Sequence, residues 1–270
     1  TYYSPNRIAN GNFAQEGIEE VTNGDFSQIG SEQLTNGNFS DGQNNWSFGT
    51  GWSIIDGKAT VVNQTGWLTT TGAPILANKQ IKLQFDVVLD SGTLRVKNNT
   101  NDFDETFNTV GSYTITRYFS TGGSASNLQF PNYGSGFSGS IDNVSVKEVG
   151  QDWTFGDGWG MGNGLATCDG SQSATSYLEQ TLTTPLVQNK IYKVTYTATI
   201  PNGNLRPELT GGGGTSEGTS QTTSGTYTDY IKAENNHIKF RFRANSSFDG
   251  TVDNISVKEV GQHWTFGTGW

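Results

Sequence analysis

The sequence predicts an all-β chain of tandem antiparallel β-sandwiches, preceded by a short N-terminal segment of β-strand repeats. Three observations carry that expectation. The composition is polar and turn-rich, with 36 glycines in 270 residues, 32% hydrophobic residues and 15% charged ones, against an average glycine usage of about 7%. Alanine, leucine, glutamate and lysine, which fill long helices, are scarce. Apolar residues also alternate with polar ones at period two, the pattern of a strand with one buried face.

The elements follow in turn. Ile81, Leu83, Phe85 and Val87 alternate with Lys82, Gln84 and Asp86. Tyr192, Val194, Tyr196 and Ala198 repeat the pattern, and Ile238, Phe240 and Phe242 mark a further strand. Asp56-Gly57, Ser91-Gly92, Asn202-Gly203 and the run Gly211 to Gly214 punctuate the strands as turns. One apolar face per strand calls for a second layer, so two antiparallel sheets are expected to pack face to face.

Internal repeats set the domain plan. Trp46-Ser-Phe-Gly-Thr-Gly-Trp52 returns as Trp153-Thr-Phe-Gly-Asp-Gly-Trp159 and again as Trp264-Thr-Phe-Gly-Thr-Gly-Trp270. Ile141-Asp-Asn-Val-Ser-Val-Lys-Glu-Val-Gly150 returns as Val252-Asp-Asn-Ile-Ser-Val-Lys-Glu-Val-Gly261. Lys58-Ala-Thr60 matches Leu165-Ala-Thr167, and Leu94-Arg95 matches Leu205-Arg206. A shorter repeat stands at the N-terminus: Ile8-Ala-Asn-Gly-Asn-Phe13, Val21-Thr-Asn-Gly-Asp-Phe26 and Leu34-Thr-Asn-Gly-Asn-Phe39, spaced by 13 residues. The expected plan is strand repeats over 1–30, one sandwich over 31–150, a second over 151–261, and the start of a third over 262–270. Only the third repeat leads directly into a unit. The first two are expected to be stacked or swapped strands of neighbouring chains, and the second unit to lack or share its first strand. The third unit stops after seven residues and the chain opens at Thr1 without a signal peptide, so a longer protein is expected.

The same composition excludes several functions. A net charge of -9 repels phosphates, so no nucleic-acid partner is expected. No apolar run approaches the ~20 residues of a membrane span. Cys168 is the one cysteine, so no disulfide can form within the chain. His237 and His263 are the only histidines and fit no metal or nucleophile motif, and the Gly211 to Gly214 run lacks the lysine of a phosphate loop. No enzymatic activity is expected.

Asn36-Gly-Asn-Phe39 followed by Trp46, with the closing Ile141-Asp-Asn-Val-Ser-Val146, resembles carbohydrate-binding modules of the 4/9 jelly-roll type. The Trp-Thr-Phe-Gly-x-Gly-Trp string, with Tyr192-Lys-Val-Thr-Tyr196, Ser224-Gly-Thr-Tyr-Thr228 and the Val252 to Val260 segment, resembles tandem modules in tail-fibre and virion surface proteins of marine tailed phages. The first resemblance implies jelly-roll sandwiches and the second a structural, adhesive role outside the cell.

Candidate site residues divide into aromatics and carboxylates. Aromatic faces suit sugar rings, and Trp adds an N–H donor, which makes Trp46 and Trp52 candidate sugar contacts. Their recurrence in every unit favours a core role instead. Trp67, whose counterpart is Tyr177, keeps aromatic character without identity, so both are candidates for an exposed sugar platform. Asp142 shares parity with Val144 and Val146, and Asp253 with Ile255 and Val257, which places both carboxylates on the buried side. An unpaired buried polar group costs roughly 2–7 kcal/mol, so each must meet N–H groups, a basic residue or a cation. The 4/9 resemblance implies a structural calcium held by Asp142 and Asp253, with Asp41 as a second ligand in the first unit. The alternative is a local Asx-type hydrogen bond without metal.

The expected protein is a non-enzymatic component of a virion surface, a tail fibre or capsid decoration. It would attach to glycans on a host cell surface and assemble with itself and other virion proteins, without nucleic acid or membrane insertion. The alternative is an accessory carbohydrate-binding region of a secreted bacterial enzyme or extracellular surface protein.

Overall fold

A computed structural model describes Ala9, Asn10, Asn12 and residues 14–264. Every regular element among them is a β-strand, and every strand pairing is antiparallel. The chain forms two bodies. The first sandwich comprises Gln28–Gln151 with Gly160–Gly164, and the second comprises Asp152–Trp159, the chain from Leu165 onward and the N-terminal residues up to Ser27.

The first sandwich has a sheet of long strands in the order Gly111–Ser120, Gln80–Ser91, Ser138–Val149, Lys58–Val61, Trp52–Ile55. Its facing sheet runs Trp46–Phe48, Leu68–Thr70, Leu128–Phe130, Leu94–Asn98, Asp104–Phe107. The alternation predicted for Gln80–Ser91 holds, since Ile81, Leu83, Phe85, Val87 and Leu89 all point into the core. Phe85 meets Phe130 of the facing sheet edge-to-face at 5.7 Å. The second sandwich repeats the plan, with Leu165–Asp169, Asp249–Val260, Ile191–Asn202 and Gly225–Lys232 adjacent in one sheet. Tyr196 packs on Phe242 across its layers at 4.8 Å. Ile238 lies just before the strand Lys239–Ala244 and is largely exposed, so that alternation begins one step later than the sequence indicates.

The two repeated strings meet in space. In the first sandwich the third repeat crosses the closing strand Ser138–Val149: Val144 N–H donates to the Gly37 carbonyl at 2.9 Å, and Trp46 Nε1 donates to the Asn36 carbonyl at 3.0 Å. Asn36 takes φ +58, a conformation asparagine tolerates better than most residues. Phe39 is buried against Trp46 at 5.0 Å. Upstream, Ile29–Glu32 adds a strand to Ser138–Val149. Glu32 anchors it by accepting the Val146 N–H at 2.7 Å and the Ser145 hydroxyl at 2.6 Å. Such bonds to an ionised acceptor are about twice as strong as neutral ones.

The second repeat builds the same device on the second sandwich, within the same chain. Glu16–Glu19 pairs with Asp249–Val260, Ile255 N–H donates to the Gly24 carbonyl at 2.9 Å, and Glu19 accepts the Val257 N–H and the Ser256 hydroxyl, each at 2.6 Å. Trp153 Nε1 donates to the Asn23 carbonyl at 3.0 Å, across 130 residues of sequence. The expectation of a missing or shared first strand, with the repeat swapped to a neighbouring chain, is thereby corrected. The strand is present and comes from the N-terminal segment, because Trp153 and the bulged closing strand offer the second repeat the same seat that Trp46 and Val144 offer the third. The N-terminal segment is therefore no separate region, since residues up to Ser27 belong with the second body. The expected start of a third unit at 262–270 lies mostly outside the described residues.

Space at the two glycines is decisive. A Cβ on Gly37 would sit 1.9 Å from the Val144 carbonyl oxygen, and one on Gly24 would sit 2.1 Å from that of Ile255. Calorimetry of Gly37→Val should show the first sandwich destabilised by about 2 kcal/mol or more with the second unchanged, and Gly24→Val should reverse the pattern.

Candidate functional site

The bulge that receives the Asn-Gly turn also aims the polar residues. Asp142 lies opposite Asp86, but the next pair is Ser145 with Gln84, so the closing strand carries one extra residue. That residue is accommodated at Asn143, with φ +49. Parity flips there: Ile141 and Val144 are both buried, three positions apart. Asp142 consequently faces outward, correcting the sequence parity that placed it toward the core. Asp253 is displaced in the same way by a bulge at Asn254, with φ +53, between buried Val252 and Ile255.

On the outer face of the long-strand sheet this leaves an open groove of about 360 Å³, lined by Lys58, Asp86, Tyr113, Thr114, Asp142 and Asn143 among others. Asp86 organises it. Its Oδ1 accepts the Thr114 hydroxyl at 2.6 Å and its Oδ2 accepts the Asn143 amide at 2.9 Å. The Thr114 and Asn143 hydrogen bonds, helped by the Lys58 charge, hold this carboxyl below the usual carboxylate range. Asp142 Oδ1 accepts the Asn143 backbone N–H at 2.7 Å. The neighbouring Tyr113 points to the opposite face of its strand from Thr114, and its hydroxyl donates to the Val110 carbonyl at 2.7 Å. Carboxylate acceptors, an ammonium donor and a hydroxyl thus share one concave surface.

The second sandwich lacks this set. Strand pairing places Leu165 where the first has Lys58, Thr197 in place of Asp86, Gly225 in place of Tyr113, and Thr226 in place of Thr114. Thr197 and Thr226 satisfy each other at 3.2 Å. Asp253 bonds the Asn254 amide through Oδ2 while Oδ1 is buried without a partner, and burial pushes its carboxyl above the usual range.

The sequence-predicted sugar contacts separate. Trp46 and Trp52 are buried, with Nε1 donating to the Asn36 and Gly66 carbonyls, so their rings serve the core and present no face to a sugar. Tyr177 is half-buried beneath the Arg241 guanidinium, 4.1 Å from its ring centre. Trp67 is 50% exposed but leads into Leu68–Thr70 of the other sheet, away from the groove strands. Sequence reasoning passed over Asp86, Thr114, Tyr113 and Lys58. The available signal was the unequal pair Asp86 and Thr197 within otherwise matching strands.

The implied calcium site does not form from these residues. Asp41 Oδ2 accepts the Asn44 amide at 2.6 Å and its own N–H donates to Asn36 Oδ1, which closes the turn after the third repeat. Calcium takes 6–8 oxygens, whereas N–H donors face both Asp41 and Asp142, and no group of three or more His, Cys, Asp or Glu suited to a metal occurs among the described residues. Cys168 is buried, with its thiol pushed up to about 11 chiefly by burial, and His237 is buried between Ser216 Oγ and the Gly211 carbonyl, pinning the glycine turn.

No family model matches the chain, and a search of curated proteins finds no match. Solved structures with similarity include the tandem CBM22-1-CBM22-2 domain of Paenibacillus barcinonensis Xyn10C, at 12% identity and TM-score 0.32, covering 86% of this chain and 99% of that one. Another, of the triple jelly-roll fold and turret assembly in an archaeal virus, has 12% identity and TM-score 0.23, and covers 80% of this chain and 59% of that one.

Two measurements check the site electrostatics. Chelation by EDTA should move either melting midpoint by less than about 1 °C, a larger drop indicating a structural ion. Because the raised carboxyl of Asp253 disfavours its charged form in the fold, it costs stability above its folded titration range, and the cost disappears once acid protonates it. Asp253→Asn should therefore raise the second sandwich's midpoint at pH 7 by less than about 1 kcal/mol equivalent, with the gain vanishing below the ordinary aspartate range.

Proposed function

We propose that this chain is a non-catalytic binding and scaffolding protein of an extracellular surface, a virion fibre or decoration, whose first sandwich binds a glycan in the groove around Asp86. The observation that supports the reading is the groove itself. Ligand sites are concave and place a few polar groups against an otherwise ordinary wall. Here Asp86 and Asp142 offer acceptors to sugar hydroxyls and Lys58 offers a donor.

Asp86 positions a ligand and transfers no proton. Both of its oxygens are already bonded and its titration lies below the usual range, so at neutral pH it is an ionised acceptor rather than an acid. One shallow, open site binds weakly, and a surface protein gains avidity by repeating it across subunits of a homo-oligomer. The second sandwich, with Thr197 and Leu165 in the equivalent places, serves as a spacer.

Titration of the labelled protein with a panel of oligosaccharides, followed by NMR, tests this. A bound sugar should shift resonances around Asp86 and Thr114 with millimolar affinity, about −4 kcal/mol. Asp86→Ala should weaken it roughly tenfold or more, as loss of a charged hydrogen bond does. No shift at the groove with any sugar at tens of millimolar would leave the scaffold role alone standing.

A further inference from the structure

The second sandwich carries a charged surface on its other sheet, whose strands run Thr154–Phe155, Ser176–Thr181, Lys239–Ala244, Leu205–Thr210, Thr215–Glu217. Leu178, Phe240, Phe242, Leu205 and Leu209 are buried in the core, so the residues alternating with them face outward. Glu208, outward by parity, is buried beneath two guanidinium groups: its Oε1 accepts Arg206 Nη2 at 2.8 Å and its Oε2 accepts Arg241 Nη2 at 2.7 Å. Arg206 also reaches Glu217 at 2.6 Å, and Lys239 pairs with Glu179 at 2.7 Å. Arg241 lies over the Tyr177 ring, 4.1 Å from its centre. Both of these arginines are neutralised and held in place.

Arg243 is not. The registers set it directly between Tyr177 and Arg206, on the same face as Arg241, and it is half-buried. Among the described residues no carboxylate, carbonyl or hydroxyl accepts a hydrogen bond from it, and the Tyr177 hydroxyl beside it is equally without a partner. Two donors therefore stand side by side with no acceptor, in a chain whose 25 acidic residues outnumber its 16 basic ones. On the far side of Tyr177 the neighbouring strand ends in Gly156, which contributes no side chain there. The fold itself does not ask for this arrangement. Continued by one residue, the registers of the first sandwich give the same row as Trp67, Pro131 and Arg95, and there Asp104 closes off Arg95 with two bonds of 2.8 and 2.5 Å.

We propose that Arg243 and the Tyr177 hydroxyl form a carboxylate-binding site, occupied by an acidic saccharide of the uronate or sialate kind. A guanidinium matches a carboxylate with two parallel N–H···O bonds, and the phenol adds a third donor. Glu208 cannot turn to Arg243, because both of its oxygens are taken by Arg206 and Arg241. The flanking carboxylates select the ligand. Glu179 and Glu217 repel a dense polyanion, yet they accept the hydroxyls of a sugar that carries one charge per ring. The second sandwich, a spacer with respect to the Asp86 groove, thereby holds a ligand of its own on the opposite sheet.

NMR titration of the isotope-labelled 270-residue chain with oligogalacturonate, oligoglucuronate and sialyllactose tests the site. At least one acid should shift the amides of Tyr177 and Arg243 and the Arg243 Nε signal with millimolar affinity, and the binding should weaken severalfold in about 0.5 M salt. The carboxyl methyl ester of that sugar should leave these signals in place. Arg243→Gln should weaken binding about tenfold or more, with an unchanged spectrum elsewhere to show that the variant is folded, whereas Asp86→Ala should leave it intact. No shift at Tyr177 and Arg243 with any of the three acids at tens of millimolar would overturn the inference. Equal binding of acetate, inorganic sulfate or the methyl ester, or binding that survives Arg243→Gln, would do the same. Shifts at Asp86 with neutral sugars in parallel titrations would keep the groove reading standing in either case.

Discussion

The structure depends on one contact: an Asn-Gly turn laid across a bulge in the closing strand. Each partner is improbable alone. The turn holds asparagine at positive φ and then needs a residue without a side chain, because Gly37 and Gly24 press on the backbone of Val144 and Ile255. The closing strand must break its own pairing by one residue, at Asn143 and Asn254, to present that backbone. Joined, they satisfy each other's amides, seat Phe39 and Phe26 on Trp46 and Trp153, and draw Glu32 and Glu19 onto the strand. A packed aromatic of this kind is worth about 3–5 kcal/mol against truncation, so the contact ties each sandwich's layers to its N-terminal strand.

The same contact shapes the surface. By flipping parity after Ile141, the bulge turns Asp142 outward and swings Asn143 onto Asp86, completing the polar groove of the first sandwich. The second sandwich has the identical bulge without Asp86 or Lys58 opposite it, and its Asp253 is left with an unpartnered oxygen. A shared structural device thus carries a polar groove in one copy and a plain face in the other.

Much of the fold was legible. Period-two alternation located the long strands, and the repeats marked the two bodies, because both signals arise from local chain geometry and from duplication. What escaped were features that depend on pairing across long sequence distances. Nothing near Trp153 shows that its turn comes from Asn23, since that partnership is set by shape and hydrogen bonding rather than by proximity in sequence. Parity counting failed at Asp142 for a local reason: one bulged residue reverses every later assignment of face. Glu19 and Glu32 left a readable trace, each standing four residues before its Asn-Gly pair, opposite a serine in the closing strand. The aromatic candidates divided along the line that recurrence suggested, with Trp46 and Trp52 in the core and the variable Trp67 at the surface.

The central claim is that each Trp motif is capped by an N-terminal repeat of its own chain, taken in reverse order. An isotope-filtered NOE experiment on mixed labelled and unlabelled protein addresses it directly. The account predicts cross-peaks from the Trp153 indole to the Phe26 ring, 5.4 Å away between centres, arising only within a chain. Cross-peaks from Trp153 to Phe39, or ones that appear only between differently labelled molecules, would contradict it.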